Sequence, residues 1–270
     1  MDGILTFFDV PYGDHERQVL DLCLPADYAG RGGLVLFIHG GAWIHGDKGS
    51  NRGRLETWSA KGYAAAAINY RYLSEDTHMD ALISDISGAL AVIKDLAAKN
   101  GASLDRALLT GESAGGHLSL LYAYSMADAS PIRPVCVVDY CGPADLTDRE
   151  LLYGVPERYP PEEQWIDLFS WLTGIRYDKD DPGPEFMRAL KRYSPVSYVT
   201  KDTVPTVICH GQKDDIVPYA GALKLRDRLD GCGAEYVFLP MPLAGHSLDQ
   251  PEIFEISAVL LETYAKRFLG

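Results

Sequence analysis

The chain has 270 residues, of which 47% are apolar, so it is long enough to bury a large core as one domain. Its formal net charge of −13 argues against nucleic acid or an anionic membrane surface as a partner. No apolar run approaches the roughly 18 residues that span a bilayer, and the first residues show no signal-peptide pattern. The five cysteines are odd in number and scattered, which favours free thiols in a reducing compartment. We therefore expect a soluble cytoplasmic protein.

Short apolar runs alternate with helix-compatible stretches along most of the chain. The predicted strands are 18–24, 34–38, 63–68, 107–109, 135–140, 204–210 and 234–239. The predicted helices are 54–61, 80–98, 117–126, 219–229 and 251–268. This alternation predicts an α/β fold with a mostly parallel central sheet and helices on both faces. Residues 148–191 interrupt it, being rich in proline, tyrosine and charge, and we expect short helices there within a single domain of residues 1–270.

A Gly-x-Ser-x-Gly pattern, Gly111 to Gly115, lies directly between a predicted strand and a predicted helix. In that context the serine of such a pattern sits at the tip of a strained turn, where its hydroxyl is exposed. The flanking glycines let the strand and the helix approach closely, because they carry no Cβ atom. Ser113 is therefore the candidate nucleophile.

A serine nucleophile needs a base, and that base needs a carboxylate to orient it. His246 follows the last predicted strand, and Asp214 and Asp215 follow the strand before it. In open α/β sheets such groups meet at the carboxyl ends of the strands. The order serine, aspartate, histidine fits this architecture, and the residues alone leave either aspartate as the partner.

The stretch His39-Gly40-Gly41-Ala42-Trp43 follows the predicted strand 34–38. Glycine-rich backbone at the end of a buried strand can present N–H groups to an oxyanion, with the amide after the nucleophile, that of Ala114, as a further donor.

Together these segments resemble the α/β-hydrolase superfamily, and within it hormone-sensitive-lipase-like and acetyl-xylan or feruloyl-type esterases. His39 to Trp43 matches their His-Gly-Gly-x-Trp motif, and Gly111 to Gly116 matches their nucleophile elbow. His210 to Pro218 matches their His-Gly-x-x-Asp-x-x-Val-Pro segment. The motifs are spread over residues 39–246, so the likeness covers nearly the whole chain.

The resemblance implies a role for each matching residue. Ser113 would be the nucleophile, His246 the base and acid, and Asp214, not Asp215, the orienting carboxylate. The expected oxyanion donors are Gly41, Ala42 and Ala114. Where lipase-like relatives carry a third glycine this chain has Ala42 before Trp43, which favours the branch of smaller esterases and formamidases. The N-terminal cap of the lipase-like enzymes is also missing, so residues 148–191 are the expected lid.

Three further residues are candidates for contact with substrate, namely Trp43, Tyr72 and Glu112. Each also has a plain structural interpretation, since aromatic residues at such positions are often core and a carboxylate next to an elbow can bond to backbone. Neither a cofactor nor a metal is expected. The acidic run 178–181 lacks the ligand spacing of a calcium loop.

The sequence thus predicts a serine carboxylesterase that forms an acyl-enzyme on Ser113 and acts on a small-molecule ester. By resemblance the acyl group is short, of the acetyl type, on a carbohydrate or an aromatic alcohol. Two alternatives stay open: an arylformamidase-like amidase, and a catalytically inactive protein that binds ligands in the old pocket. No nucleic-acid or membrane partner is expected, and a homodimer is left open.

Overall fold

The computed structural model describes residues 3–28, 33–154, 162–247 and 251–270. The strands are β1 (Ile4–Pro11), β2 (Val19–Pro25), β3 (Leu34–Ile38), β4 (Ala64–Ile68), β5 (Arg106–Glu112), β6 (Arg133–Tyr140), β7 (Thr206–Gly211) and β8 (Tyr236–Met241). The α-helices are α1 (Arg52–Ala60), α2 (Met79–Lys99), α3 (Ala114–Met126), α4 (Glu162–Thr173), α5 (Gly183–Arg192), α6 (Tyr219–Cys232) and α7 (Pro251–Phe268). None of the helices in these ranges has both the length and the apolar character needed to cross a bilayer.

Within the described residues, one sheet of eight strands runs in the order β1-β2-β4-β3-β5-β6-β7-β8. The pairs β1–β2 and β2–β4 are antiparallel, and every later pair from β4–β3 to β7–β8 is parallel. The loops that follow β3 to β8 therefore emerge at one edge of the sheet, as the sequence predicted. This is the α/β-hydrolase fold, so the predicted fold class is confirmed.

Strand β3 is apolar along its whole length because both faces of the sheet are covered. Leu34, Leu36 and Ile38 pack into the core shared with α2 and α3. Val35 and Phe37 pack into a second core on the other face, shared with α1 and α7. Alternate side chains of one strand thus belong to different cores, which is why the run shows no polar alternation.

Strand β1 was not predicted. Its side chains are exposed or half-buried, and its pairing with β2 shifts register between Phe7 and Val10. Asp9 lies at that irregularity with a positive φ of 53°, and its amide donates to the fully buried carboxylate of Asp21. Because the bulge breaks the two-residue period, alternation could not reveal this strand.

Residues 148–191 were predicted to form short helices, and their described part does so. One π-helical turn, Glu150–Gly154, precedes α4 and α5. Residues 155–161 of this range lie outside the described residues. That the range acts as a lid stays a prediction.

The turn between β5 and α3 is pressed against the end of β3. A Cβ atom on Gly111 would lie 2.5 Å from the carbonyl oxygen of Ile38, and one on Gly115 would lie 2.1 Å from the same oxygen. No side chain fits at such distances. The two flanking glycines of the elbow therefore allow the first turn of α3 to contact the backbone of β3.

We predict that Gly115→Ala lowers the free energy of unfolding by about 2 kcal/mol or more, because the rigid backbone of Ile38 and His39 must move to admit the methyl group. Gly53→Ala is the matched control, since nothing lies within 4 Å of a Cβ atom at that exposed position in α1. It should leave stability unchanged or raise it slightly. Urea unfolding of both variants measures the difference, and equal effects would contradict the packing described.

Candidate active site

Ser113 has a strained backbone at the tip of the turn between β5 and α3. Its φ of 55° and ψ of −122° lie outside the regions that residues with a side chain normally occupy. Its amide donates to the carbonyl of Tyr140 on β6 at 2.8 Å, and its carbonyl accepts from the amide of His117 at 3.0 Å. These bonds fix the turn from both sides. Ala114 begins α3, so its amide is among those without an acceptor inside the helix.

His246 and Asp214 are joined by a hydrogen bond. Nδ1 of His246 lies 2.8 Å from Oδ2 of Asp214, and that carboxylate is fully buried while the imidazole is 19% exposed. An ionised carboxylate can only accept, so Nδ1 carries the proton and Nε2 keeps a lone pair. Asp215 is exposed. The structure therefore pairs the histidine with the aspartate that the resemblance had selected.

Several donors converge on the carboxylate of Asp214. The amides of Ile216 and Val217 donate to Oδ1 at 3.0 and 2.8 Å, and Nε2 of His210 lies 3.3 Å from Oδ2. Burial by itself would raise the pKa of Asp214, but the hydrogen bonds from His210 and His246 outweigh it and hold that pKa well below its ordinary value. The carboxylate thus stays ionised in a buried position, where it can stabilise a positive charge on His246.

The thiol of Cys141 lies within 4.8 Å of the carboxylate of Asp214. Burial, and then the nearby negative charge of Asp214, raise the pKa of Cys141, so the thiol keeps its proton. Cys141, His210 and Asp214 form the one group in the described part of the chain whose possible metal-ligand atoms lie within 4.8 Å of one another. Nε2 of His210 also lies 2.9 Å from the carbonyl of Val217 and must keep its proton to donate there. Nε2 of His210 therefore already serves as a donor to Asp214 and to Val217.

Ser113 and His246 are not hydrogen bonded to each other. Among the described residues, the hydroxyl of Ser113 and Nε2 of His246 have no hydrogen-bond partner, so the two atoms that would exchange a proton are both available. Such contacts are often long without substrate and shorten in the reactive complex.

The loop after β3 lies directly beside the nucleophile. A Cβ atom on Gly40 would lie 3.5 Å from the Cβ atom of Ser113 and 2.8 Å from the carbonyl oxygen of Glu112. Gly41, Ala42 and Trp43 follow with positive φ values of 111°, 49° and 61°. Two successive non-glycine residues in this region are strained, and such backbone persists only where the surroundings hold it.

Arg17, from the connection between β1 and β2, holds this loop in place. Its guanidinium donates to the carbonyls of Gly46 at 3.1 Å and Tyr70 at 2.9 Å, and it lies 3.3 Å from Nε2 of His39. The guanidinium carbon also lies 3.6 Å from the centre of the Tyr72 ring. Arg17 therefore contacts both ends of the segment from residue 39 to residue 46.

A second chain of hydrogen bonds starts at Trp43. The indole N–H donates to Nδ1 of His117 at 3.2 Å, and Nε2 of His117 donates to the carbonyl of Tyr193 at 2.8 Å. These hydrogen bonds connect the loop after β3 with helix α3 and with the end of α5. Trp43 is only 3% exposed. The indole ring is therefore packed in the core, and contact between Trp43 and substrate stays a prediction.

The other two predicted substrate contacts are at the surface of this region. Glu112 is exposed at the end of β5, beside Gly40. Tyr72 is half-buried, and its hydroxyl donates to the carbonyl of Gly46. Both positions remain open to a ligand, and their roles stay predictions.

Sequence reasoning missed Arg17 and the contact between Cys141 and Asp214. Arg17 lies in no recognisable motif, and its partners are 22 to 53 positions away. Cys141 gave a weak signal, because it directly follows a predicted strand and so had to lie at the active edge of the sheet.

Known proteins resemble this chain in sequence and in fold. The BD-FAE family model matches residues 20–229. The esterases LipQ and LipC of Mycobacterium tuberculosis are 31% and 29% identical to the chain over 89% of its length, which is 57% and 59% of theirs. The probable carboxylic ester hydrolase LipM of the same organism is 28% identical over 97% of this chain and 62% of its own. The chain thus spans about three fifths of the length of these relatives.

Solved structures share the fold. Esterase B from Lactobacillus rhamnosis aligns with a TM-score of 0.76 and 24% identity, covering 98% of this chain and 87% of that one. A truncated carbohydrate esterase from gut microbiota aligns with a TM-score of 0.74 and 23% identity, covering 96% and 95%. The fold and the strand-end motifs define an α/β-hydrolase, the superfamily that the resemblance had indicated. Since the family model matches most of its length, the chain belongs to the BD-FAE family.

The buried histidines beside the site predict how stability depends on pH. Burial lowers the pKa of His39 to about 4 and that of His117 to about 4, so both are neutral when folded. Unfolded histidines titrate near 6.5, so between about pH 6.5 and 4 the unfolded chain binds more protons. The free energy of unfolding should therefore fall as pH drops through this window, by up to about 1.4 kcal/mol per pH unit for each histidine.

Chemical unfolding at pH values from 7 to 4.5 measures this slope. His117→Gln should make it shallower by up to about 1.4 kcal/mol per unit, because one of the two groups is removed. His45→Gln, which changes an exposed histidine in the same region, should keep the slope of the unmodified chain. A His117→Gln slope equal to the unmodified one would contradict the burial argument.

Proposed function

We propose that the chain is a carboxylic ester hydrolase that uses Ser113 as its nucleophile. One observation carries the proposal: the carboxylate-bound imidazole of His246 and the strained Ser113 both follow parallel strands at the same edge of the sheet. The curated relatives named esterases or carboxylic ester hydrolases support the same reaction class.

The hydrogen bond between His246 and Asp214 supports the following mechanism. Nε2 of His246 takes the proton of the Ser113 hydroxyl while the oxygen attacks the ester carbonyl, and Asp214 stabilises the imidazolium that results. The C–O bond to the alcohol breaks, and His246 returns the proton to the leaving oxygen. His246 then takes a proton from water as the water attacks the acyl carbon. The bond to Oγ of Ser113 breaks, His246 returns the proton to that oxygen, and the acid leaves.

The oxyanion of each tetrahedral intermediate needs fixed N–H donors. We propose the amides of Gly41, Ala42 and Ala114 for this role. Gly40 packs beside Ser113, which supports the placement of the loop, and α3 begins at Ala114. One such donor is typically worth on the order of 100- to 1000-fold in rate, so the position of the loop matters as much as that of the nucleophile.

We further propose a short, acetyl-type acyl group. Ala42 and the buried Trp43 replace the open glycine-rich stretch of the lipase-like pattern, which supports a small acyl site. The same machinery would cleave an arylformamide. The ratio of rates on phenyl acetate and on N-formyl-kynurenine separates the two reactions, and a ratio favouring the formamide would replace the ester assignment.

Ser113→Ala should abolish nearly all hydrolysis of 4-nitrophenyl acetate, since removal of a serine nucleophile costs on the order of a million-fold in turnover in related machinery. A fluorophosphonate probe should label the unmodified chain at Ser113 and leave the variant unlabelled. Ser119→Ala, which changes a buried serine six residues further along in α3, serves as the control and should still be labelled. Retained hydrolysis in folded Ser113→Ala would overturn the assignment.

Arg17→Ala should lower kcat by about 10- to 100-fold and change KM less, because oxyanion donors act mainly in the transition state. The substitution removes the bonds that fix Gly46 and His39, the two ends of the loop. Arg133→Ala is the control, since Arg133 is exposed at the opposite end of the sheet, at the start of β6. Steady-state kinetics and the melting temperature of both variants are measured. An unchanged kcat of Arg17→Ala would contradict the proposal, and so would a loss of activity no larger than the loss of folded protein.

A further inference from the structure

Asp139 is a buried carboxyl group that the proposed reaction does not use. It lies near the end of β6, the strand that pairs with β5, and its side chain is 1% exposed. Its Oδ1 atom accepts from the amide of Gly142 at 3.0 Å, and its Oδ2 atom has no hydrogen-bond partner among the described residues. Such atoms are rare in folded proteins because they cost free energy, so a carboxyl group in this place needs a reason beyond packing.

Two glycines make room for this carboxyl group. A Cβ atom on Gly116 would lie 2.2 Å from Oδ1 of Asp139, and one on Gly142 would lie 2.4 Å from the same oxygen. Gly116 belongs to the first turn of α3, while Gly142 follows the end of β6. The side chain is therefore enclosed between the helix that starts behind the nucleophile and the turn that follows its own strand.

That turn, residues 140–142, contacts both the nucleophile and the orienting carboxylate. The carbonyl of Tyr140 accepts from the amide of Ser113 at 2.8 Å. The thiol of Cys141 lies within 4.8 Å of the carboxylate of Asp214. A shift of the turn 140–142 would therefore move Ser113 and Asp214 relative to each other.

The turn 140–142 has a strained backbone that hydrogen bonds hold on both sides. Cys141 has a positive φ of 52°, a value that residues with a side chain rarely adopt. Its amide donates to the carbonyl of Cys209 on β7 at 2.9 Å, and the next amide, that of Gly142, donates to Asp139. Strained backbone persists only where its surroundings fix it. The carboxyl oxygen of Asp139 thus supplies one of the hydrogen bonds that keep the turn in place.

The carboxyl group of Asp139 is neutral in the folded chain. Burial raises the pKa of Asp139 well above its ordinary value, although the hydrogen bond from Gly142 lowers it. The titratable groups close enough to interact with a charge on it cannot become cations, namely Tyr124 on α3, Cys209 on β7, and Tyr140 and Cys141 in its own segment. A neutral carboxyl group still offers its carbonyl oxygen to Gly142. It does so without placing a negative charge beside the elbow, where an oxyanion would form.

We propose that Asp139 is a positioning residue of the active site, which as a neutral carboxylic acid holds the turn 140–142 and through it the spacing between Ser113 and Asp214. The proposal rests on the proposed esterase function, and it adds a residue that lies outside the three motifs at 39–43, 111–116 and 210–218. Because Asp139 is buried, it acts through the two residues that it positions and not by contact with substrate.

The first test measures the turn itself and needs no catalysis. Asp139→Asn keeps a neutral side chain with an oxygen acceptor, whereas Asp139→Val removes the acceptor and suits a strand. In Asp139→Val, amide hydrogen exchange followed by NMR should be about tenfold faster at both Ser113 and Gly142, because a hydrogen bond of the turn is lost. Asp139→Asn should exchange as slowly as the unmodified chain. Faster exchange at Gly142 alone, with Ser113 unaffected, would overturn the positioning role.

The second test compares kcat and KM for 4-nitrophenyl acetate. Asp139→Val should lower kcat by about 10- to 100-fold and change KM less, since a small displacement of reacting groups acts on the reactive complex. Asp139→Asn should keep kcat within about threefold, because it reproduces the neutral form. Asp139→Ala, which also lacks the acceptor, takes the place of Asp139→Val if that variant does not fold. Equal losses of kcat in Asp139→Asn and Asp139→Val would overturn the role of the neutral acid.

Val137→Ala is the matched control for lost stability. Val137 is buried in the core two residues earlier on β6, so its truncation should lower the melting temperature and leave kcat nearly unchanged. A loss of kcat in Asp139→Val no larger than in this control would overturn the positioning role and leave the esterase function standing. An unmodified chain that hydrolyses no ester, with exchange at Ser113 and Gly142 responding as expected, would overturn the esterase function and leave Asp139 as the group that holds the turn.

Discussion

The strained backbone of Ser113 is the constraint on which the rest of the structure depends. A serine with φ of 55° and ψ of −122° is stable only because the turn is fixed on every side. Gly111 and Gly115 admit the backbone of Ile38, and the amide of the serine itself is held by Tyr140 on the next strand. Strands on both sides of β5 therefore take part in presenting one hydroxyl group.

The loop after β3, which lies beside the serine, also has a strained backbone that its neighbours fix. Its unusual backbone at Ala42 and Trp43 is held from one side by Arg17 and from the other by the hydrogen bonds of His117. A neutral imidazole can accept from one residue and donate to another at the same time, whereas a protonated one can only donate. Burial of His117 therefore does more than fill space, since it keeps the ring in the form that connects Trp43 with the helical segment before Tyr193.

The predictable parts of this protein were those encoded locally. The order of strands and helices followed from the alternation of apolar runs and helix-compatible stretches. The elbow and the pairing of His246 with Asp214 followed from short motifs at strand ends. Strand β1 was missed because the bulge at Asp9 breaks its alternation. The hydrogen bond from Trp43 to His117 could not be predicted, because the two residues are 74 positions apart. Arg17 gave no signal at all, since its contacts exist only once the antiparallel strands have placed it over the loop. Contacts across the sheet depend on three-dimensional packing, which a pattern along the sequence does not show.

The arrangement of the site along the chain has a consequence for how this protein matures. The site has three segments, namely residues 39–46, 113–117 and 210–246. They lie at the ends of strands β3, β5, β7 and β8. These strands belong to the parallel part of the sheet, where paired residues are distant in sequence. Contacts of that kind form late, because long stretches of chain must be ordered first. A nascent chain that has completed the elbow still lacks the histidine and its carboxylate. The reactivity proposed for Ser113 should thus arise together with the pairing of β8 in the sheet, so an incompletely folded chain would carry an inert hydroxyl.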